Sequence, residues 1–87
     1  RSEPAQLVVL DAIGNSGSGE YYSYLKEQSE SASVRVRAKT AFAVRFLAAE
    51  QARPILERAK ADPSAIVRKA ALQSASTQAE HANGAAE

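Results

Sequence analysis

Four basic side chains, Arg35, Arg37, Lys39 and Arg45, and two aromatic ones, Phe42 and Phe46, fall within VRVRAKTAFAVRFL, from Val34 to Leu47. Interleaved cations and rings are the combination that grips single-stranded nucleic acid, because cations neutralise phosphates and rings stack on bases. Successive helical residues turn by roughly 100°. Arg35 and Lys39 would then share one side of a helix, Arg37 would lie well round from them, and Arg45 would face elsewhere. The charge is spread around the helix instead of forming a stripe. The formal net charge is only +1, whereas phosphate-binding chains usually show a stronger imbalance. A solvated and packing face is the expected reading, and no nucleic acid is expected as a partner.

Other reactive residue types are sparse. His81 is the sole histidine and falls in the Ala-rich C-terminal stretch. A base or ligand there would need partners, so a solvated residue is expected. GNSGSG (Gly14 to Gly19) has the composition of a phosphate cradle, but no strand precedes it and no lysine follows at the required place. A turn between helices is the better reading. Glu27, Glu30, Glu50, Glu57 and Asp62 lie near different helix ends or on solvated faces, with no pair placed for acid–base work. The HExxH, CxxC and GxxxxGK[ST] patterns do not occur in the sequence. No catalytic, cofactor-binding or metal-ligating set is therefore expected, and the chain reads as a non-enzyme.

The elements that position these residues read as helices. Ser2-Glu3-Pro4 supplies a capping hydroxyl, an early acid and a first-turn proline. In AQLVVLDAIG, Leu7, Leu10 and Ile13 recur at helical spacing, broadened by Val8 and Val9. Gly14-Asn15-Ser16-Gly17 is expected to stop this helix. Ser18 can cap a second helix with Tyr21, Tyr24, Leu25 and Gln28 along one side, ended by SESAS (Ser29 to Ser33). Ser33 can cap a third helix reaching about Leu47, with Val36, Thr40, Val44 and Leu47 as its inward stripe and Ala43 beside it. A fourth begins near Glu50 with Pro54 close to its start, where proline costs least. Asp62-Pro63 reads as a cap followed by proline at the first position of a fifth. QAEHANGAAE, from Gln78, suggests a helix end fraying into a disordered tail. No segment alternates with period two.

Composition agrees with this reading. Hydrophobic residues make up 45% and aromatics 6% of 87 residues, which suits one small domain of close-packed, Ala-rich helices. Cysteine is absent, which excludes a disulfide framework and thiolate metal sites. No apolar run approaches the roughly 20 residues that span a bilayer. The chain begins at Arg1 and has no Met, so it reads as an excised domain or processed fragment.

Val36-Arg37 recurs as Val67-Arg68, an interval of 31 residues. Shifting the whole chain by 31 places Ala5 on Val36, Ile13 on Val44, Tyr24-Leu25 on Ile55-Leu56 and Ser33 on Ser64. Apolar positions meet apolar ones and turns meet turns. This predicts a helical-hairpin repeat in the order A1-B1-A2-B2-A3, about two and a half repeats over residues 4–30, 33–61 and 63–76, with 77–87 as tail. Such repeats bury their apolar faces only by stacking. The open ends suggest a segment of a longer stack, or self-association.

VRVRAKTAFAVRFL and DPSAIVRKAAL resemble HEAT repeats, in which an Asp-Pro turn leads into a Val-Arg helix. DAIGNSGSGEYYSYLKE is similar to the preceding hairpin of short HEAT-like repeats. The likeness covers about residues 4 to 76 and implies an all-α, right-handed solenoid. It also implies inter-repeat structural roles for Arg37, Asp62 and Arg68. Gln6 stands where a third arginine would be, and Ser31 where a second turn acid would be, so an Asp–Arg ladder is incomplete. The resemblance implies a protein-interaction or scaffold function, with B helices lining the concave binding face. Tyr22 and Lys26 on B1 align with Arg53 and Glu57 on B2, and these four are the candidate contact residues. Phe42 and Phe46 replace polar residues of the other repeats. They are candidates either for packing between A helices or for docking another domain or subunit. The expected partner is another protein or another domain of a parent chain. GNSGS followed by VRVRAKTAFAVR and VRKAAL is similar also to the helical layer of vitellogenin-type lipid-transfer proteins, which would imply a lipid-bearing parent. A HEAT-like bilin lyase is a third likeness, which no residue here supports.

Overall fold

The computed structural model describes residues 2–86, and their side chains through Glu80. Five helices follow in order: α1 (Glu3–Ser16), α2 (Tyr22–Gln28), α3 (Val34–Ala43), α4 (Ala49–Lys60) and α5 (Ala65–Ala86). A single 3-10 turn, Gly19–Tyr21, leads into α2. No strand occurs among the described residues, so the all-α reading holds.

Three serines start the odd-numbered helices, and they are 31 residues apart. Ser2 Oγ accepts from Ala5 N, Ser33 Oγ from Val36 N and Ser64 Oγ from Ile66 N. The carbonyls of the same three serines accept the first intrahelical bonds, from Gln6, Arg37 and Arg68. Each cap satisfies donors that a helix start leaves without partners. The fifth helix therefore starts later than Asp62-Pro63 suggests. Asp62 Oδ1 accepts from Ser64 N at 2.9 Å, forming a tight turn in front of the cap.

The helix ends also differ from the sequence reading, each for a local reason. α1 runs through Gly14, Asn15 and Ser16, and only Gly17 takes the left-handed conformation, at φ 65°. Gly14 serves packing instead. A Cβ there would lie 3.0 Å from Ala43 Cα, so a side chain would force α1 and α3 apart. α3 ends at Ala43, four residues before Leu47, and Val44 to Phe46 form a turn. Pro54 is the sixth residue of α4, not a first-turn residue. Its missing N–H leaves the Glu50 carbonyl without a ladder donor on an exposed side of the helix. α5 passes residue 76 and continues to Ala86. Thirty-one residues earlier the chain turns at Val44-Arg45-Phe46, and α1 gives way to a turn at Gly17, whose equivalent on α5 is Ala79. Ala79 does not take the left-handed conformation as readily as Gly17 does, so the glycine stop of α1 is missing from α5.

α3 packs against both α1 and α5, and α4 packs against α5. The core comprises Leu10, Ile13, Leu25, Val36, Val44, Leu47, Ile55, Leu56 and Val67, filled in by alanines such as Ala41, Ala52 and Ala71. The expected inward stripe of Val36, Thr40, Ala43, Val44 and Leu47 is buried throughout. Small residues allow the close approach that a 17 Å shortest dimension reflects, about two helix layers deep at interaxial distances of roughly 8–10 Å. In α4 the apolar positions Ala52, Ile55, Leu56 and Ala59 recur at helical spacing and are all buried.

Candidate functional site

The basic residues of α3 and of the turn after it each reach another part of the molecule. Lys39 Nζ lies 3.0 Å from Asp11 Oδ1 on α1, and Arg35 Nε lies 3.8 Å from Glu3 Oε2. Arg45 donates to Asn15 Oδ1 at 2.8 Å and to Phe42 O at 3.1 Å. Its guanidinium also sits 4.1 Å from the centre of the Phe42 ring and 4.6 Å from that of Phe46. Both phenylalanines therefore meet Arg45 beside the α1 C-terminus. A Cβ at Gly17 would lie 3.3 Å from Phe46 Cβ.

Arg37 is the most engaged of the four. Its Nε donates to Asp62 Oδ2 at 2.8 Å and its Nη2 to Asp62 Oδ1 at 3.1 Å, a bidentate pair. Nη1 donates to the carbonyls of Ser31 and Ala32. Arg68 makes the same pair of backbone contacts one repeat on, to the carbonyls of Asp62 and Pro63. Both arginines thus clamp the turn before their own helix, and Arg37 also binds the turn before α5. The hydrogen bond from Arg37 holds the Asp62 carboxyl below the ordinary aspartate range, helped by the Ser64 amide. The same bond raises the Arg37 guanidinium further. At the first repeat Gln6 donates instead to Gln28 Oε1, at 3.4 Å.

Three surface hollows are formed by described residues. The first is an open groove of about 600 Å³ lined by Ala5, Gln6, Val9, Ala12 and Ile13 of α1 with Tyr21 and Tyr24. The second, of about 450 Å³, surrounds the Arg37–Asp62 pair and includes Glu30 and Arg58, whose side chains approach to 3.8 Å. The third, of about 210 Å³, lies between α4 and α5. Arg53 and Glu57 line it together with Lys60, Leu56, Ala75 and Gln78.

The four candidate contact residues are placed unequally. Arg53 and Glu57 are exposed and share the α4–α5 hollow. Lys26 is exposed on α2. Tyr22 is half-buried and packs on the core. Sequence reasoning missed two features. The groove over α1 combines Val9 with Tyr21 and Tyr24 from the following hairpin arm. Gln78, which the sequence reading assigns to the tail, donates to Val44 O at 3.2 Å and Leu47 O at 2.7 Å. The alanine at position 79, where α1 has the stop Gly17, is the available sequence signal for the latter.

No group of three or more His, Asp or Glu side chains that could hold a metal occurs among the described residues. No helix there is long and apolar enough to cross a membrane. The His81 side chain lies outside the described residues. Compared with protein-family models, curated proteins and solved structures, the chain finds no match in any of the three.

Proposed function

We propose that the chain is a short, right-handed HEAT-like helical stack serving as a non-enzymatic protein-interaction or scaffold module. The observation that carries this reading is the recurrence of one set of contacts at 31-residue intervals. Capping serines recur at positions 2, 33 and 64, the third bonding one residue short of the other two, and two arginine clamps on the preceding turn repeat in register. Residues used this way build a repeating surface, and their side chains are occupied in holding it. The resemblance of VRVRAKTAFAVRFL and DPSAIVRKAAL to HEAT repeats supports the same conclusion. The contact surface is the exposed side of α4, centred on Arg53 and Glu57, with Lys26 of α2 as its extension. Charge complementarity there would set partner choice.

The test compares proteins retained by the immobilised chain with those retained by an Arg53→Glu/Glu57→Lys variant of equal helicity. Partners lost only from the variant support the reading. Identical captured sets sink it. The apolar groove over α1 favours a second reading, a helical layer of a vitellogenin-type lipid carrier. Organic extraction of the purified chain followed by mass spectrometry separates the two, because stoichiometric lipid belongs to the second.

A further inference from the structure

A 31-residue shift sorts the faces of α1, α3 and α5 into two sets. Leu10 on α1 and Ala41 on α3 are 0% and 1% exposed, whereas their equivalent on α5, Leu72, is 61% exposed. Thr40 on α3 and Ala71 on α5 are both 0% exposed, whereas their equivalent on α1, Val9, is 45% exposed. Ala5 and Ala12 follow Val9: both are exposed, while Val36 and Val67, and Ala43 and Ser74, are buried. The first set faces the following odd-numbered helix and the second faces the preceding one. α3 uses both faces, since it packs on α1 and on α5. α1 therefore carries a receiving face with nothing on it, and α5 an offering face with nothing to meet.

The receiving face is the groove of about 600 Å³ already described, and none of its lining side chains is charged. The surface that fits it is helical, with an apolar knob and small neighbours. The offering face matches: Leu72 projects from it, flanked by the small, exposed Ala65 and Ser76. Lys69, one turn before Leu72, is exposed, and its long stem can lie on apolar surface while the ammonium stays in water. Val9, Tyr21 and Leu72 are among the large hydrophobic side chains this molecule leaves exposed, and all three fall on these two faces. Twice within the chain, an interface of this register already joins one odd-numbered helix to the next.

We propose that a second copy of this chain covers the α1 groove, with Leu72 of its α5 seated over Val9 in the way that Leu10 seats against α3. The contact joins two different faces, so copies stack head to tail. Such an interface does not close at a dimer. The proposal continues the two internal interfaces and does not use the Arg53–Glu57 surface. Failure of partner capture there leaves it standing, and the converse also holds.

Sedimentation velocity of the whole chain, at concentrations reaching about 1 mM, the weak end of measurable affinity, tests it together with Val9→Asp and Leu72→Asp. Both positions are exposed, and far-UV circular dichroism checks that each variant keeps its helices. The expected result is a wild-type mass that keeps rising past the dimer with concentration. Each variant alone stays monomeric: Val9→Asp blocks every groove and Leu72→Asp every knob, so neither associates with itself. Their equimolar mixture forms a species of twice the 9.2 kDa chain mass and stops there, since one intact groove meets one intact knob. A wild-type monomer at every concentration, with or without co-purified lipid, overturns the proposal. So does a Leu72→Asp variant that still self-associates, which would indicate groove-to-groove pairing.

Discussion

Ser74 is fully buried, and its hydroxyl has no hydrogen-bond partner. The register explains why it is out of place, because its equivalents are Ala43 and Ala12. A buried hydroxyl without a partner forfeits roughly 1–3 kcal/mol of hydration. Ser74→Ala is therefore expected to stabilise the fold by about 1 kcal/mol, read from urea unfolding. Asp62 makes the opposite case. Its carboxyl is held below the ordinary aspartate value chiefly by the hydrogen bond from Arg37. A lowered native value means stability that is complete above the unfolded value of about 3.9. That stability is lost as the pH falls through the native value. Thermal unfolding should place Asp62→Asn below the wild type by a constant margin from neutrality to about pH 4. The margin should close on further acidification. A margin independent of pH would show that the carboxylate charge contributes nothing.

At the scale of elements, caps and close approaches decide the layout. Ser33 both caps α3 and donates to Glu3 Oε1 at 2.8 Å, so it joins α3 to the start of α1. Ser33→Ala should cost about 1 kcal/mol or somewhat more, measured against Ser64→Ala, whose hydroxyl makes the cap bond alone among those described. α5 holds the turn after α3 through Gln78, which reaches two carbonyls there. A chain ended at residue 76 is thus expected to melt lower than one ended at residue 80. Equal melting temperatures would mean that the Gln78 clamp is dispensable. Gly14 and Gly17, three residues apart, do different work: one admits α3 and the other reverses the chain.

At the scale of the molecule, a core built from alanines and a few larger residues has little to spare. Leu10, Leu25, Val36, Val44 and Val67 are its largest fully buried apolar side chains. Leu10→Ala empties space between α1 and α3 and should cost about 2–5 kcal/mol. Small domains have total stabilities of only about 5–15 kcal/mol, so this variant should be partly unfolded well below the melting temperature of the parent. Urea titration followed by circular dichroism measures it. The same thin core leaves apolar area at both ends of the α1–α3–α5 row, which is why any self-association there would be linked to folding.

The sequence by itself determined the helices, the serine starts of α1, α3 and α5, and the 31-residue spacing between them. Each of these depends on neighbours in the chain: a serine before an apolar period, a glycine that tolerates positive φ, a Val-Arg pair recurring at fixed distance. The inward stripe from Val36 to Leu47 was legible for the same reason. Tertiary structure decided what was reached from afar. Phe42, Phe46 and Asn15 were readable as residues, but their meeting around Arg45 depends on α1 and α3 lying side by side. Gly14 looked like a stop signal because only the approach of Ala43 gives it a packing role. The run-on of α5, and the grip of Gln78 on the α3 turn, required the position of one helix end relative to another helix. Local propensity encodes no such distance. The open faces of α1 and α5 were likewise invisible until burial could be compared at equivalent positions, because Val9 and Leu72 look like any other core residues in sequence.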